Sequence, residues 1–440
     1  MTALYSLFLL HPVITTDSRD CPEGSIFFAL KGESFNGNAY AASALEKGCS
    51  YAVIDEAQYA QDDRYIVVAD VLTTLQQLAN EHRRALGTPI IGVTGTNGKT
   101  TTKELIATVL SKKYNVLYTQ GNFNNHIGVP KTLLRLTKEH DIAVIEMGAN
   151  HPGEIKTLVE IVEPNYGIIT NVGKAHLEGF GSFEGVIKTK AELYDFLRKH
   201  SDTKVFIDAD NQHLAGKAEG LHLVRYGVES NATDLLVKGE VIDCAPFLRF
   251  KWTNSESQGA NDCVAEKSEH TCSTHLIGAY NIYNMLAAAT IGLFFNVRPS
   301  DVNDALANYI PSNNRSQLTV TEHNKLIVDT YNANPTSMSA ALKNFALMAV
   351  EPKMAILGDM RELGSQSAEE HQKVVDFLKA QEGIEVWLVG EEFAKTGSPF
   401  RSFPDVNAVK AELSAHPVSG RYILIKGSNG TRLFELPVLL

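Results

Sequence analysis

A chain of 440 residues, 44% hydrophobic and 21% charged, is too long for one ordinary core and calls for about two to four globular domains. Its formal net charge of −11 argues against a nucleic-acid or anionic-membrane partner, which needs a basic face, and leaves room for local basic pockets that take an acidic substrate. The five cysteines, Cys21, Cys49, Cys244, Cys263 and Cys272, form no C-x-x-C pair, so the expectation is a reduced chain without a cysteine metal site.

The opening stretch "MTALYSLFLLHP" has no Lys or Arg before its apolar part and no small-residue cleavage site after it. It reads as a short amphipathic helix rather than a signal peptide. No apolar run approaches the roughly 20 residues that cross a bilayer. The first block, residues 1–83, carries the short apolar runs "SIFFAL", "YAVID" and "YIVVAD" between Gly-rich turns, and a small α/β domain is expected.

The second block, residues 84–311, alternates strands and helices. "IIGVTG" is followed by a helical pattern over 103–111, "IAVIEMG" by "GEIKTLVEIV", and "YGIITNV" by "GVIKTKAELYDFL". That rhythm implies a parallel sheet with ligands at the carboxyl ends of its strands. The polar segment "TNSESQGANDCVAEKSEHTCST" reads as a long exposed hairpin or loop. In the third block, residues 312–440, "KLIVDTYN", "KMAILGDM", "VWLVGEEF" and "RYILIKGSNG" predict four more strands of a parallel sheet. The predicted class is α/β with three domains.

The chemistry concentrates at strand ends. "IIGVTGTNGKTTTKEL" runs strand, glycine turn, helix, an arrangement that turns backbone N–H groups and a positive helix end toward a phosphate. Gly98-Lys99-Thr100 fits the close of G-x-x-x-x-G-K-[ST], with Lys99 for the β/γ-phosphates and Thr100 for Mg²⁺. The position five before Gly98 is Val93, so the first glycine of that pattern is misplaced. Glu146 closes the strand of "IAVIEMG" and is placed to serve as the second metal-binding acid beside a phosphate loop. His176, in "GKAHLEGFG", is either an ordinary satisfied histidine or a site residue on the same edge. Lys188 and Lys190, as plain chemistry, are a solvated helix face. Asp329, Tyr331, Asn332 and Asn334 crowd into "VDTYNANPTSM" just before Pro335 and suggest a binding loop. Arg315 is either a phosphate clamp or an ordinary ion-pair residue.

Taken together, "GTNGKTTTKE", "QGNFNNHIGVPKTLLRL", "EMGANHPGEI", "HLEGFGSFEGV", "DTYNANPTSM" and "LGDMRELG" closely resemble the Mur ligase family over nearly the whole chain. The resemblance accounts for the irregular glycine, since the family's G-T-x-G-K-[ST] matches Gly95-Thr96-Asn97-Gly98-Lys99-Thr100, with Thr101 following. It implies an ATP-dependent, amide-forming ligase of bacterial cytoplasm, largely monomeric. "DTYNANPTSM" and "LGDMRELG" are similar to the branch that joins D-alanyl-D-alanine to UDP-N-acetylmuramoyl-tripeptide through an acyl phosphate. It implies two Mg²⁺ held by Thr100, Glu146, His176 and a carbamoylated lysine, and K-x-[EL]-[IL]-[FY] favours Lys190 over Lys188. It further implies that Asn281, Asn284, Arg315 and Asp329 contact ATP. The uridine diphosphate would lie by Asp17, Ser18 and Arg19, and other substrate contacts would come from Asn124, Asn125, Tyr331, Asn332 and Asn334. Two departures stand out: Tyr280-Asn281 replaces the usual "HN", and "KGSNG" replaces the commoner "KGSR" around Lys426 to Asn429.

Overall fold

The computed structural model describes residues 2–255, 257–258, 264–265, 267–311 and 317–440. Three large sheets divide it, and a fourth of two short strands, Ser257–Gln258 and Val264–Ala265, lies beside the second. The first is four-stranded and wholly parallel, in the order Ile14–Thr15, Ile26–Phe28, Tyr51–Ile54, Tyr65–Val67. The three expected strands are present, and the two-residue edge strand was too short to register in the sequence.

A helix, Val71–Leu86, joins this sheet to the next and runs unbroken past Arg83. Asp70 caps its start by accepting the N–H of Thr73, and Gly87, at φ 67°, ends it in the left-handed conformation that glycine adopts without strain. Arg83 is buried and donates to the carbonyls of Val162 and Glu163 at 2.8 and 2.6 Å, which ties this helix to the central domain. The first helix, Ala3–Leu10, buries Tyr5 and Phe8 but leaves Leu9 and Leu10 exposed, so it is apolar on both faces rather than amphipathic.

The central sheet has nine strands. From one edge the order is Glu269–Ile277, Phe247–Asn254, Leu235–Cys244, Leu223–Gly227, Lys204–Asp208, Tyr166–Ile169, Ile90–Thr94, Ile142–Glu146, Val116–Tyr118. The last seven are parallel, and the first two form an antiparallel hairpin on the edge. Ile90–Thr94 and Ile142–Glu146 are buried at every residue, which is why they read as unbroken apolar runs. The "TNSESQGAND…" segment lies partly outside the described residues; its start, Thr253 and Asn254, and its close, "EHTCST", belong to the two strands of the hairpin, with Cys272 buried. Helix Ile282–Phe294 runs through the core with every residue but Tyr283 buried. Cys21, Cys49, Cys244 and Cys272 are free thiols, and Cys263 lies outside the described residues.

The third sheet orders Gln317–Val320, Lys325–Asp329, Tyr422–Lys426, Lys353–Gly358, Ile384–Val389, Arg401–Phe403. All pairs are parallel except the first. Its four long strands are those the sequence predicts, and the two edge strands add to them. No helix among the described residues is long and apolar enough to cross a membrane.

Candidate functional site

The carboxyl ends of the central strands open on one cavity of about 930 Å³, with walls from all three domains. Its floor is the loop between strand Ile90–Thr94 and helix Lys99–Leu110. Gly95 sits at φ 142° and Gly98 at φ 76°, both in the region that side chains avoid. A Cβ on Gly95 would stand 2.1 Å from Thr170 Oγ1, and one on Gly98 would stand 2.7 Å from Asn284 Oδ1. The irregular spacing is therefore set by close approach: the loop is pressed between the neighbouring strand end and helix Ile282–Phe294. Thr170 Oγ1 and Asn171 Nδ2 hold the Asn97 carbonyl at 2.7 and 3.0 Å, and Asn171 Oδ1 takes its N–H at 3.0 Å. Lys99 Nζ folds back to the carbonyls of Gly95 and Thr96, both at 3.0 Å. Thr101 also lines the cavity.

Glu146 is 1% exposed at its strand end. Its Oε1 accepts from Thr100 Oγ1 at 3.2 Å and from Asn124 Nδ2 at 2.8 Å, while Oε2 is buried with no hydrogen-bond partner. A buried, unpartnered carboxylate oxygen beside a threonine hydroxyl is costly unless something cationic completes it. The described residues hold no group of three His, Cys, Asp or Glu side chains close enough to bind a metal by themselves. Thr100 and Glu146 thus fit Mg²⁺ as two protein ligands of a site completed by phosphate oxygens and water.

His176, in the left-handed conformation at φ 49°, lines the cavity and pairs through Nδ1 with Glu362 of the third domain. Burial pushes its pKa down, and Glu362 opposes this. The two lysines of helix Phe183–Leu197 separate cleanly. Lys188 is exposed, whereas Lys190 is 2% exposed, with Nζ 3.2 Å from the Ala149 carbonyl and over the Phe180 ring at 5.3 Å. The solvated-face expectation is corrected for Lys190: its face of the helix packs on the core, together with Val186, Leu193 and Tyr194. Burial and nearby Lys99 push its amine well below the ordinary lysine range.

Asn281 and Asn284 are buried in one chain of bonds. Asn281 Nδ2 donates to the Ile277 carbonyl at 2.8 Å, Asn284 Nδ2 to Asn281 Oδ1 at 2.8 Å, and Thr102 Oγ1 to Asn284 Oδ1 at 3.0 Å. From the third domain, Asp329, Tyr331, Asn332 and Asn334 all line the cavity. Asn334 caps helix Pro335–Leu347 and donates to Asn97 Oδ1 at 2.8 Å, bridging the phosphate loop to the third domain. Asn125 lines the same cavity and caps the turn at Ile127 and Gly128.

Two residues of the site carry no role read from the sequence. Lys426, 1% exposed, bonds Asp329 Oδ2 at 2.5 Å, and Glu362 holds His176. Lys426 ends the apolar run "YILI", a strand-end charge of the kind that singled out Glu146. Asp17, Ser18 and Arg19 do not join the cavity walls. Arg19 forks onto Asp17 at 2.8 Å in the open, and its hydrogen bonds hold the Asp17 carboxyl well below the usual range. Arg315 lies outside the described residues.

Family models match three stretches: "Mur ligase family, catalytic domain" over 12–90, "Mur ligase middle domain" over 93–292 and "Mur ligase, glutamate ligase domain" over 314–429. The UDP-N-acetylmuramoyl-tripeptide–D-alanyl-D-alanine ligase of Bacillus subtilis is 32% identical, over 98% of this chain and 93% of the relative. Among solved structures, MurF of Acinetobacter baumannii superposes with a TM-score of 0.84 at 29% identity, covering 97% of this chain and 92% of that one. MurF ligase of Thermotoga maritima, in complex with ADP, superposes with a TM-score of 0.82 at 25% identity, covering 100% and 98%.

Proposed function

The chain belongs to the Mur ligase family, and on that premise we propose that it joins D-alanyl-D-alanine to UDP-N-acetylmuramoyl-tripeptide at the expense of ATP, in peptidoglycan precursor synthesis. The observation that carries this reading is one cavity that brings together a phosphate loop, the Glu146 strand end and the Asp329–Asn334 loop of a separate domain. We assign residues 1–83 to the UDP-sugar, 84–311 to ATP and 312–440 to a ligase domain, although helix Val71–Leu86 runs across the first of these bounds.

The chemistry follows from the reactants. A carboxylate is a poor acyl donor because oxide is a poor leaving group. The terminal carboxylate of the tripeptide attacks the γ-phosphate of ATP, expelling ADP and leaving an acyl phosphate. The amine of D-alanyl-D-alanine then attacks the acyl carbon, phosphate leaves and an amide remains. Positioning and charge neutralisation do most of the work in such transfers. Lys99 swings from the loop carbonyls to the phosphates, and the loop N–H groups orient them. Thr100 and Glu146 are the residues that would hold Mg²⁺, which when bound supplies positive charge to the phosphates. Lys190 is the lysine we assign a carbamoyl group, because only a neutral amine adds to carbon dioxide and burial favours the neutral form of this one. Asn281, Asn284, Asp329 and Arg315 are assigned to the nucleotide. Asn124, Asn125, Tyr331, Asn332 and Asn334 are assigned to the acyl substrates, and Asp17, Ser18 and Arg19 to the uridine diphosphate. Contacts between the central and third domains, Lys174 to Glu370 at 2.7 Å among them, hold the two domains together, and the reaction needs water kept from the acyl phosphate, which it would hydrolyse.

The test is ADP release from ATP with each substrate alone and with both. Release that needs both supports the reading, and equal release with neither defeats it. Lys99→Ala should remove nearly all turnover.

A further inference from the structure

Across the edge of the central sheet the strand ends run Asp208, Ile169, Thr94, Glu146, Tyr118. The phosphate loop leaves Thr94, with Glu146 on one side. Asp208 is on the other side, two strands away, and lines the same cavity. Leu276, Tyr280, Asn281, Tyr283 and Asn284 line the same cavity, and Tyr283 stands near enough to Asp208 and Asp210 for their charges to act on it. Tyr283 is the residue that the otherwise buried helix Ile282–Phe294 turns out of the core. A corner with aromatic walls and a few placed polar atoms, just beyond a phosphate loop, suits a nucleobase.

Asp208 is 7% exposed. Its Oδ1 accepts the N–H of Asp210 at 3.0 Å, and Oδ2 has no hydrogen bond among the described residues. Neighbouring Asp210 is committed to structure, since it takes the N–H groups of Val228, Glu229 and Ser230 at 2.8, 3.1 and 2.6 Å. Of the two carboxyls, only Asp208 keeps an oxygen for a ligand.

We propose that Asp208 selects adenine, pairing in its protonated form with the amino group and N1 of the base. Adenine presents a donor beside an acceptor on that edge. Hypoxanthine and guanine present an acceptor beside an N–H donor. A neutral carboxyl has one O–H and one C=O and complements adenine, whereas an ionised carboxyl has acceptors only and complements the N–H of hypoxanthine. Burial pushes Asp208 up to about 7, so its proton is available near neutrality. The titratable groups that face it are Asp210, Tyr194, Tyr226 and Tyr283, none of them a cation that would hold it ionised. Sites that bond a substrate's polar edge reject the analogue with the wrong edge far better than apolar pockets do.

The inference rests on the cavity being an ATP site. The experiment compares ATP with inosine triphosphate, which carries hypoxanthine, in wild type, Asp208→Ala and Asp208→Asn, with both acyl substrates saturating. Asp208→Ala should raise the KM for ATP about tenfold with kcat little changed, and should lower the preference for ATP by a similar factor. Asp208→Asn keeps a C=O and an N–H in place of the acid's pair, so its KM for ATP at pH 7 should stay within about threefold of wild type. The wild-type KM for ATP should rise with pH through about 7, and that of Asp208→Asn should not. An unaltered preference in Asp208→Ala overturns the proposal. So do equal pH profiles for wild type and Asp208→Asn, a comparison that decides the matter even where the alanine variant does not fold. A wild type that releases no ADP from ATP would instead fail the reading of the cavity.

Discussion

Lys190→Ala tests the least obvious assignment in the site. The side chain is 2% exposed and, among the described residues, its amine makes one hydrogen bond, to the Ala149 carbonyl at 3.2 Å. Truncation empties a buried stem, which costs about 2–4 kcal/mol of stability by analogy with large-to-small core changes. Loss of the bond adds about 1 kcal/mol or less. The effect on activity is separate from these stability terms. One preorganised charged group in a water-poor site is worth about 10²–10³ in kcat, roughly 3–4 kcal/mol. In an ADP-release assay with all substrates saturating, Lys190→Ala should fall by that factor. Acetate or formate should restore part of the rate, because the vacated channel admits a small carboxylate in place of the carbamate. Lys190→Met, which keeps the stem and fills the channel, should be inactive and unrescued. Lys188→Ala should stay within about twofold of wild type, since Lys188 is exposed. Full activity in Lys190→Ala, or loss and rescue in Lys188→Ala, would refute the assignment.

Asp329→Ala leaves Lys426, 1% exposed, as an uncompensated buried cation, and should lower unfolding free energy by about 3–5 kcal/mol in denaturant titrations; a loss under about 1 kcal/mol would contradict the pairing. Arg19→Ala removes only an exposed ion pair, so the folding stability should not change measurably. It should nevertheless raise the KM for the UDP-sugar far more than that for ATP, and the opposite pattern would misplace the uridine site. Asp208 gives a pH signature in thermal melts. The folded protein holds this proton up to about 7, whereas an exposed carboxyl releases it near ~4, so between these limits the unfolded chain binds fewer protons. Stability from this group therefore falls as pH rises through that window. Asp208→Asn should raise Tm relative to wild type at pH 8 more than at pH 5, and an equal difference at both would falsify the raised carboxyl.

The long strands were legible because burial on both faces writes them as unbroken apolar runs, as in Ile90–Thr94 and Tyr422–Lys426. The phosphate loop and Glu146 were legible because a strand end delivers them, and the sequence shows where a strand stops. Edge strands such as Ile14–Thr15 and Arg401–Phe403 were hidden, since two or three residues carry no periodicity. Lys190 was hidden for a different reason. Lys188 and Lys190 are two apart on one helix, about 200° round its axis, so one faces water and the other faces the core. Local sequence does not say which, and the family motif chose the one the fold buries. Pairings across domains, Glu362 with His176 and Asn334 with Asn97, join positions far apart in the chain and could be found only in three dimensions.

The central claim is that ATP drives amide formation through an acyl phosphate. Tripeptide substrate labelled with heavy oxygen at its terminal carboxylate tests it directly. One labelled oxygen should leave with the phosphate and the other should stay in the new amide. Product that forms while the released phosphate carries no label would contradict it.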